Sequence, residues 1–346
     1  MPDCLPSARL NAASLKKNVP VAITVELTRR CPLSCLHCYL PETRGRAWPG
    51  AELSTAGWKK VLRGLARAGG LYLVFTGGEP LLRPDLAELC RFAKKLRFDV
   101  RVFSSGLGLT PALAEEFSAA GVSAFELSLY GRPGRHDSIT GRKGSCAATL
   151  AAARLLRAAG VGVKLKVPLL RRNAGEITWI KRLAHKESFM VSFDPIVAPA
   201  NDGDGAALKY RLAGRGLAAA LRSASAGTRG AAAGPEDPSI GDFLCGAGRN
   251  VCAVGPDGAL LPCLQLPMKL GNLVRSPFSK LWRESPWLKK WRRYGLRDLA
   301  ACRDCRLLAW CSRCPGISML ESGDPLAPND AACALAAARA GRERVS

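Results

Sequence analysis

The sequence has no apolar run long enough to cross a membrane, and residues 1–20 lack the apolar stretch of a secretory signal peptide. These absences exclude a membrane span and predict a cytoplasmic chain with no membrane partner. Because the cytoplasm keeps thiols reduced, they also exclude a disulfide framework as the reason for 14 cysteines among 346 residues. Such cysteine usage in a reducing compartment indicates metal or redox chemistry.

Acidic residues are also scarce: 28 Asp and Glu face 51 Lys and Arg, which gives a formal net charge of +23. A field of that sign favours acidic partners, such as a peptide, an electron donor or nucleic acid. The aromatic residues do not interleave with the basic ones as they do on nucleic-acid-binding surfaces. The chain is rich in Ala, Gly and Arg throughout, so we attribute the charge mainly to composition and expect no nucleic-acid partner.

Strand-like and helix-like segments alternate over residues 19–200, which predicts a parallel sheet covered by helices. The strand-like runs are Val21–Leu27, Leu71–Phe75, Val100–Phe103, Ala124–Leu129, Gly162–Leu169 and Met190–Ile196. The helix-like segments have apolar residues three and four apart; they are Ser54–Ala68, Asp85–Leu96, Pro111–Ala120, Ala147–Ala159 and Glu176–Lys186. Six such units are too few for a closed eight-stranded barrel, so we expect an α/β fold with an open, partial (β/α)6 barrel.

Three cysteines follow the first of these strands in a C-x₃-C-x₂-C spacing: Cys31, Cys35 and Cys38. Thiolates this close on a loop can converge on one small inorganic centre. Four cysteines would complete the coordination of an iron–sulfur cluster, so three leave one iron open to an outside ligand. A structural zinc site is the alternative, but it normally has four closed ligands in two pairs.

The cysteine motif continues into Tyr39, and Thr76-Gly77-Gly78-Glu79-Pro80 follows the second strand. Together these motifs resemble those of the radical S-adenosylmethionine (SAM) family. The resemblance implies a [4Fe–4S] cluster whose open iron binds the amino and carboxylate groups of SAM. An electron from the cluster then cleaves SAM to a 5′-deoxyadenosyl radical, which removes hydrogen from a substrate.

The same resemblance implies roles for residues at the ends of the predicted strands. Gly77, Gly78 and Glu79 would bind the amino group of SAM, with Glu79 as the carboxylate partner. Hydroxyls at Ser104 and Ser128 would touch the ribose or carboxylate of SAM. Tyr39 would lie against the adenine, largely through its backbone. Because carboxyl ends of parallel strands share one edge, all of these motifs are expected at one edge of the barrel.

A second concentration of eight cysteines begins at residue 245, enough for two full sets of four ligands. Two zinc sites are the structural alternative. However, Cys245–Arg249, Val254–Cys263 and Leu270–Leu273 resemble the SPASM domain, which carries two auxiliary iron–sulfur clusters. The family pattern implies one ligand set of Cys245, Cys252, Cys263 and Cys314. It implies a second set of Cys302, Cys305, Cys311 and Cys333.

The expected organisation is therefore an N-terminal segment at 1–18, a barrel at 19–200, a linker or mobile cover at 201–240, a SPASM domain at 241–336 and a basic tail at 337–346. Three further residues complete the expectations. Cys90 lies on the apolar stripe of its predicted helix, and Cys146 occupies a place where similar proteins commonly have Phe; both are expected to be buried, inert thiols. His136 opens an H-D-x₃-G run in which relatives often carry an Arg, and we expect it to be a loop or capping residue.

The motif set most resembles SPASM-type maturases, which crosslink, epimerise or oxidise ribosomally made peptides and proteins. Sulfatase maturation is disfavoured because Leu264-Gln265-Leu266, without a carboxylate, follows Cys263. Two alternatives remain: a radical SAM enzyme acting on a small molecule such as a tetrapyrrole precursor, and a non-catalytic iron–sulfur electron-transfer protein.

The resemblance also implies a flavodoxin- or ferredoxin-type electron donor. Many peptide maturases carry a winged-helix domain before the barrel that binds the leader of their substrate. Because 18 residues are too few for such a domain, a separate leader-binding protein or another surface is expected to recognise a leader.

Overall fold

The computed structural model describes residues 8–40, 50–226 and 243–341. Its strands are β1 (Ala22–Glu26), β2 (Tyr72–Thr76), β3 (Asp99–Ser104), β4 (Ala124–Ser128), β5 (Gly162–Pro168), β6 (Met190–Asp194), β7 (Val251–Val254), β8 (Ala259–Leu261) and β9 (Gly271–Asn272). They form one sheet in the order β6-β5-β4-β3-β2-β1-β7-β8-β9. Strands β1 to β6 pair in parallel as neighbours in chain order, which confirms the predicted α/β fold with an open partial barrel.

The helices of the first half are α1 (Ala8–Lys17), α2 (Thr55–Arg67), α3 (Leu86–Lys95), α4 (Pro111–Ala119), α5 (Pro133–Thr140), α6 (Ser145–Ala158) and α7 (Ile177–Lys186). Those of the second half are α8 (Gly214–Ser225), α9 (Phe278–Glu284), α10 (Pro286–Trp291), α11 (Pro315–Ser322) and α12 (Asp330–Arg339). All five helices and all six strands predicted for residues 19–200 are present, with ends shifted by at most two residues. Within the described residues, no helix is both long and apolar enough to span a membrane.

The two faces of the parallel strands differ in polarity because successive side chains point to opposite faces. The face that packs on the helices is apolar and buried, with Phe125 and Leu165 as examples. On the opposite face lie charged residues such as Arg101, Glu126 and Lys164, and the last two are nearly inaccessible. The concave side of the partial barrel is therefore polar, and that is the side available for chemistry.

The C-terminal cysteine-rich segment does not form a separate sheet. Strand β7 pairs in parallel with β1, so that Cys252 lies beside Ile23, and β8 and β9 continue the same sheet in antiparallel pairing. A tight turn joins β7 to β8, and Gly258 there adopts a left-handed φ of +83°. Sequence analysis did not anticipate that the two cysteine-bearing regions share one sheet.

One local difference from the predictions has a clear cause. Helix α1 was missed because half of its ten residues are polar; hydrogen bonds from Asn250 Nδ2 to Asn11 Oδ1 (2.8 Å) and Ser14 Oγ (3.1 Å) hold it against the cysteine-rich segment. In the predicted linker, residues 201–226 contain a 3₁₀ turn (Leu208–Tyr210) and then α8, which overlaps the short helical stretch that the sequence predicts at Ala206–Ser223 and packs on α7 and α12. Residues 1–7, 41–49, 227–242 and 342–346 of the predicted segments lie outside the described residues, and the domain boundaries stay a prediction.

Candidate functional site

The motifs from four strands lie at one edge of the sheet. The loop with Cys31, Cys35 and Cys38 follows β1, the Gly77–Glu79 loop follows β2, and Ser104 and Ser128 are the last residues of β3 and β4. This is the carboxyl edge of the parallel strands, where loops can carry chemistry without disturbing the core.

The cysteine loop takes its shape from α5, which lies about 100 residues away in the sequence. The backbone N–H groups of Ser34 and Leu36 donate to the carbonyls of Thr140 (2.9 Å) and Ile139 (3.0 Å). The last carbonyls of a helix have no partner within that helix, so they are available for such contacts. Arg142 adds a longer bond from Nη1 to the carbonyl of Pro32, at 3.5 Å.

Gly77 and Gly78 bring the second loop against the first. A Cβ atom at Gly77 would lie 2.3 Å from the carbonyl oxygen of Thr28, and one at Gly78 would lie 2.2 Å from that of Arg30. The space is used by backbone hydrogen bonds: Gly78 N donates to Thr28 O and Glu79 N to Arg30 O, both at 2.8 Å. In this structure the glycines therefore permit close packing of the two loops.

The Glu79 carboxylate is completely buried at this edge. It accepts hydrogen bonds from Ser104 Oγ (2.7 Å), Leu81 N (3.0 Å), Ser105 N (2.8 Å) and the Ser105 hydroxyl. Burial raises its pKa, against the lowering effect of these donors. A buried carboxylate held by neutral donors suits an added cation, so the environment of Glu79 fits the ammonium group expected from the sequence.

Ser104 and Tyr39 are both engaged within the protein. Ser104 gives its one proton to Glu79 and accepts from Gly106 N (2.8 Å), so in this arrangement its hydroxyl orients Glu79. Tyr39 donates its hydroxyl to Glu26 Oε1 (2.7 Å), and its carbonyl accepts from Asn201 N (2.8 Å). Tyr39 thus fastens the end of the cysteine loop to β1. The cofactor contacts expected of both residues stay predictions.

The thiols of Cys31, Cys35 and Cys38 lie close enough to influence one another. Burial raises the pKa of Cys31 to about 11, against a hydrogen bond from the Leu33 backbone, and raises that of Cys35 further. Three half-buried thiolates in one place need compensating positive charge. The irons of a cluster would supply that charge, so these residues fit the group that the sequence predicts.

The C-terminal cysteines fall into two separate groups. In the first, electrostatic coupling links Cys263 to the other three members; the group is Cys245, Cys252, Cys263 and Cys314. In the second, Cys311 is coupled to its three neighbours; the group is Cys302, Cys305, Cys311 and Cys333. This is the division that the family pattern implies, although the ligand roles stay predictions.

Backbone donors distinguish these cysteines from the inert ones. The N–H groups of Ala247 and Leu307, each two residues beyond a cysteine, donate to the sulfurs of Cys245 and Cys305 at 3.4 Å. Such bonds stabilise thiolates and tune clusters. Cys146, in contrast, is fully buried and donates its own S–H to the carbonyl of Gly131 at 3.6 Å, as a neutral thiol does. Cys90 is buried in the apolar core, and the predicted burial of both is confirmed.

Over the three described ranges, no group of three or more His, Cys, Asp or Glu side chains is arranged to hold a metal ion.

Sequence analysis missed Tyr130, which lies two residues beyond β4. Its ring packs between His37 and His136, with ring centroids 5.1 and 5.4 Å away. Its hydroxyl lies 3.3 Å from His37 Nε2. Burial lowers the pKa of His37 to about 4, so that ring is neutral. Tyrosine at a strand end carries no distinctive signal in one sequence.

The expectation for His136 was wrong. His136 lies inside α5 and is 1% exposed, and its Nδ1 accepts from the backbone N–H of Tyr130 at 3.3 Å. Helix α5, which Pro133 begins, is an additional helix that the sequence pattern did not indicate. The capping function belongs to Asp137, which accepts from the backbone N–H groups of Gly144 (2.6 Å) and Cys146 (2.9 Å) at the start of α6.

Two regions of the chain match models of known protein families. Residues 25–183 match the family model of the radical SAM superfamily, and residues 245–315 match that of SPASM, an iron–sulfur cluster-binding domain. A PqqA peptide cyclase of Streptomyces rochei is 32% identical over 309 residues, which cover 83% of this chain and 81% of the relative. An AdoMet-dependent heme synthase of Methanosarcina barkeri is 28% identical over 345 residues, 89% of this chain and 95% of the relative.

Among solved structures, SuiB of Streptococcus suis bound to S-adenosylmethionine superposes with a TM-score of 0.71. The match covers 94% of this chain and 81% of that chain at 17% identity. The same protein has been solved bound to its precursor peptide SuiA, with a TM-score of 0.66. At this level of identity the likeness shows a shared fold.

Gly78→Ala should disrupt the site, because its new methyl group would meet the Arg30 carbonyl at 2.2 Å. We expect the free energy of unfolding to fall by about 3 kcal/mol and iron uptake during anaerobic reconstitution to drop. The matched control is Gly64→Ala in α2, where a Cβ meets nothing within 4 Å. Equal stability and iron content in both variants would show that the loops need not pack this closely.

Replacing Cys31, Cys35 and Cys38 together by Ala should remove about a third of the iron bound after reconstitution. Three four-iron clusters hold on the order of twelve irons, and fewer if one auxiliary cluster is a two-iron form. The triple variant should make no 5′-deoxyadenosine but keep its auxiliary iron, whereas Cys146→Ala should lose neither. SAM cleavage by the triple variant, or zinc at the C-terminal cysteines in elemental analysis, contradicts the assignment.

Proposed function

The chain belongs to the radical SAM superfamily and carries a SPASM domain, and from that premise we propose that it matures a ribosomally made peptide or protein. The main observation that supports this proposal is the similarity to PqqA peptide cyclases. One of these relatives is 32% identical to this chain, and the match covers 81% of the relative's length. The modification would be a crosslink, a thioether, an epimerisation or an oxidation. A flavodoxin- or ferredoxin-type protein would supply electrons.

The residues at the carboxyl edge of the sheet would have separate binding roles. Cys31, Cys35 and Cys38 would hold the cluster, and Glu79 would bind the ammonium group of SAM. When bound, the cluster and SAM supply a reductively generated radical that takes hydrogen from the substrate. Ser104 and Ser105 hold Glu79 in place by hydrogen bonds, so the carboxylate needs little reorganisation when its partner arrives.

The substrate would lie on the polar, concave face of the barrel, between the cysteine loop and the first auxiliary group. Two observations support this place. Asp194, the last residue of β6, is close enough to Cys314 to raise the pKa of that thiol, in addition to the larger effect of burial. Lys166 in β5 stands beside Ser128 and Ser192 in the sheet register, with its ammonium group 4.5 Å from the Phe103 ring centroid. Charged side chains there can orient a polar substrate.

A deuterium experiment tests the reaction. The gene neighbourhood is first searched for a short Cys-rich or Ser/Thr-rich peptide, which is synthesised with deuterium at candidate positions. The reduced enzyme should then transfer deuterium into 5′-deoxyadenosine and change the mass of the peptide. The control is the triple cysteine variant under identical conditions, which should do neither.

The similarity to a heme synthase indicates which result of the deuterium experiment would contradict the proposal. If the peptide mass never changes and no deuterium leaves it, while a labelled tetrapyrrole precursor transfers its label, the enzyme acts on a small molecule. If SAM cleavage is absent even in the intact, iron-loaded protein, the electron-transfer interpretation replaces both.

A basic groove lies at the end of the barrel opposite to the cysteine loop, and it would suit an acidic leader segment of the substrate. It has a volume of about 540 Å³ and lies where α1, α2 and α9 meet the start of β1. Its lining combines apolar side chains such as Trp282 with basic residues and contains no acidic residue; the basic ones are Lys17, Lys60, Arg67, Arg283 and Arg292. An amphipathic acidic segment complements both features.

The groove yields a binding prediction. Lys60→Glu combined with Arg283→Glu should weaken binding of the labelled peptide at least tenfold in fluorescence anisotropy and flatten its salt dependence. Salt screens surface charges over about 8–10 Å, so binding by the intact protein should fall as ionic strength rises. The control is the charge reversal of Lys289 and Lys290, which are exposed on α10 and outside the groove lining. Equal losses in both pairs would attribute binding to net charge alone.

A further inference from the structure

Lys166 is a cation on the concave face of the barrel that has no acidic partner among the described residues. It lies in β5 near the carboxyl edge and is partly buried, and its ammonium group forms neither an ion pair nor a hydrogen bond within the three described ranges. The centroid of the Phe103 ring lies 4.5 Å from its Nζ atom. An aromatic face attracts an ammonium group without neutralising it. The charge is therefore held in position and stays available to an anion.

The acidic side chains of the two neighbouring strands are engaged elsewhere. Glu126 of β4 lies 4.0 Å from Arg101 Nη1, measured from its Oε1 atom. Asp194, at the end of β6, accepts a hydrogen bond from the backbone N–H of Ile196 at 3.0 Å. Neither forms an ion pair with Lys166, so one positive charge stays uncompensated on a face that is partly withdrawn from water. Such a charge costs free energy, and a bound anion offsets that cost.

Hydroxyl groups stand on both sides of this ammonium group. In the parallel register, Lys166 pairs with Ser128 of β4 on one side and with Ser192 of β6 on the other. Residues paired in this way share a face of the sheet, and neighbouring strands are about 4.8 Å apart. The Ser192 hydroxyl has no hydrogen-bond partner in the part of the chain that the structure describes. An ammonium group next to a free hydroxyl donor suits a carboxylate, which accepts hydrogen bonds on both oxygens.

The place of Lys166 in the sheet separates it from the groups expected to bind SAM. Strand β5 is four strands away from β1, which leads into the cysteine loop, so the two are about 19 Å apart along the sheet. The carboxylate of SAM is expected at the open iron beside that loop. Ser128 is the nearest residue with an expected SAM contact, and Lys166 and Ser192 lie one and two strands beyond it. A carboxylate at Lys166 therefore belongs to the substrate.

We propose that Lys166, together with Ser192, binds a carboxylate of the substrate and thereby selects a peptide with an acidic residue close to the carbon that loses hydrogen. The inference rests on the proposed function, because it needs a peptide to enter the barrel. A charge-assisted hydrogen bond fixes that side chain while the radical takes hydrogen from a neighbouring carbon, and such positioning lowers the barrier to the reaction. Lys166 is then a specificity-determining residue.

The test is a double-mutant cycle with the gene-neighbour peptide. Each acidic residue of the peptide is replaced in turn by its amide, Asp by Asn or Glu by Gln, and each peptide is assayed with the full-length, iron-loaded enzyme. One replacement should lower both the peptide affinity in fluorescence anisotropy and the deuterium transfer about tenfold. Lys166→Met should cause the same loss with the original peptide and no further loss with that amide peptide, because either change removes the same contact.

Lys59→Met is the matched control. The Lys59 ammonium group also lies over an aromatic ring, 5.5 Å from the Phe92 centroid, but this residue is on α2 outside the barrel. The control variant should keep the full effect of the amide replacement. Lys166→Gln repeats the cycle with a polar side chain of similar length, which guards against misfolding of the methionine variant. The change that SAM causes in the EPR spectrum of the cluster should be the same in all variants.

Three results would contradict the inference and leave the proposed function standing. They are additive losses at every acidic position, modification of a peptide that has no acidic residue, and loss of the SAM-dependent EPR change in the Lys166 variants, which would assign Lys166 to SAM. If the unmodified enzyme never changes the mass of the peptide, the proposed function is overturned and this inference with it.

Discussion

Backbone contact between the loops that follow β1 and β2 is the constraint on which the candidate site depends. The two hydrogen bonds from Gly78 and Glu79 to the Thr28 and Arg30 carbonyls leave no room for a side chain at either glycine. They set the position of the buried Glu79 carboxylate relative to the cysteine loop that begins at Cys31. The Glu79 carboxylate is therefore placed against the cysteine loop through main-chain geometry, which varies less than side-chain rotamers.

Strand β1 carries a second constraint, because it is the strand shared by the two halves of the chain. It pairs with β2 on one side and with β7 on the other. The cysteine loop leaves the end of β1, and Cys252 lies within β7. The spacing between the radical site and the first auxiliary group is consequently fixed by a continuous sheet rather than by a flexible connection. A fixed spacing suits electron transfer and a substrate held between the two centres.

The cysteines show how environment separates residues of one type. Two of those grouped at the predicted centres, Cys245 and Cys305, accept a hydrogen bond on sulfur from the backbone N–H two residues further along the chain. Cys90 and Cys146 sit in apolar surroundings, and Cys146 acts as a donor. Cysteines expected to bind metal therefore accept hydrogen bonds on sulfur, whereas the buried Cys146 thiol donates one.

Local patterns in the sequence determined the alternation of strands and helices, the C-x₃-C-x₂-C motif and the glycine-rich loop, because each depends on residues close together in the chain. Spacing alone left zinc and iron–sulfur centres open, and resemblance to a family divided the eight C-terminal cysteines. Only the tertiary structure decided that β7 extends the barrel sheet, that α5 shapes the cysteine loop, that His136 is buried and that Tyr130 contacts His37. The residues that these contacts bring together are separated by roughly 100 to 230 positions in the chain. The burial of His136 likewise depends on packing from distant elements. No local periodicity encodes such pairings, since they are selected by which surfaces remain to be covered once the sheet has formed.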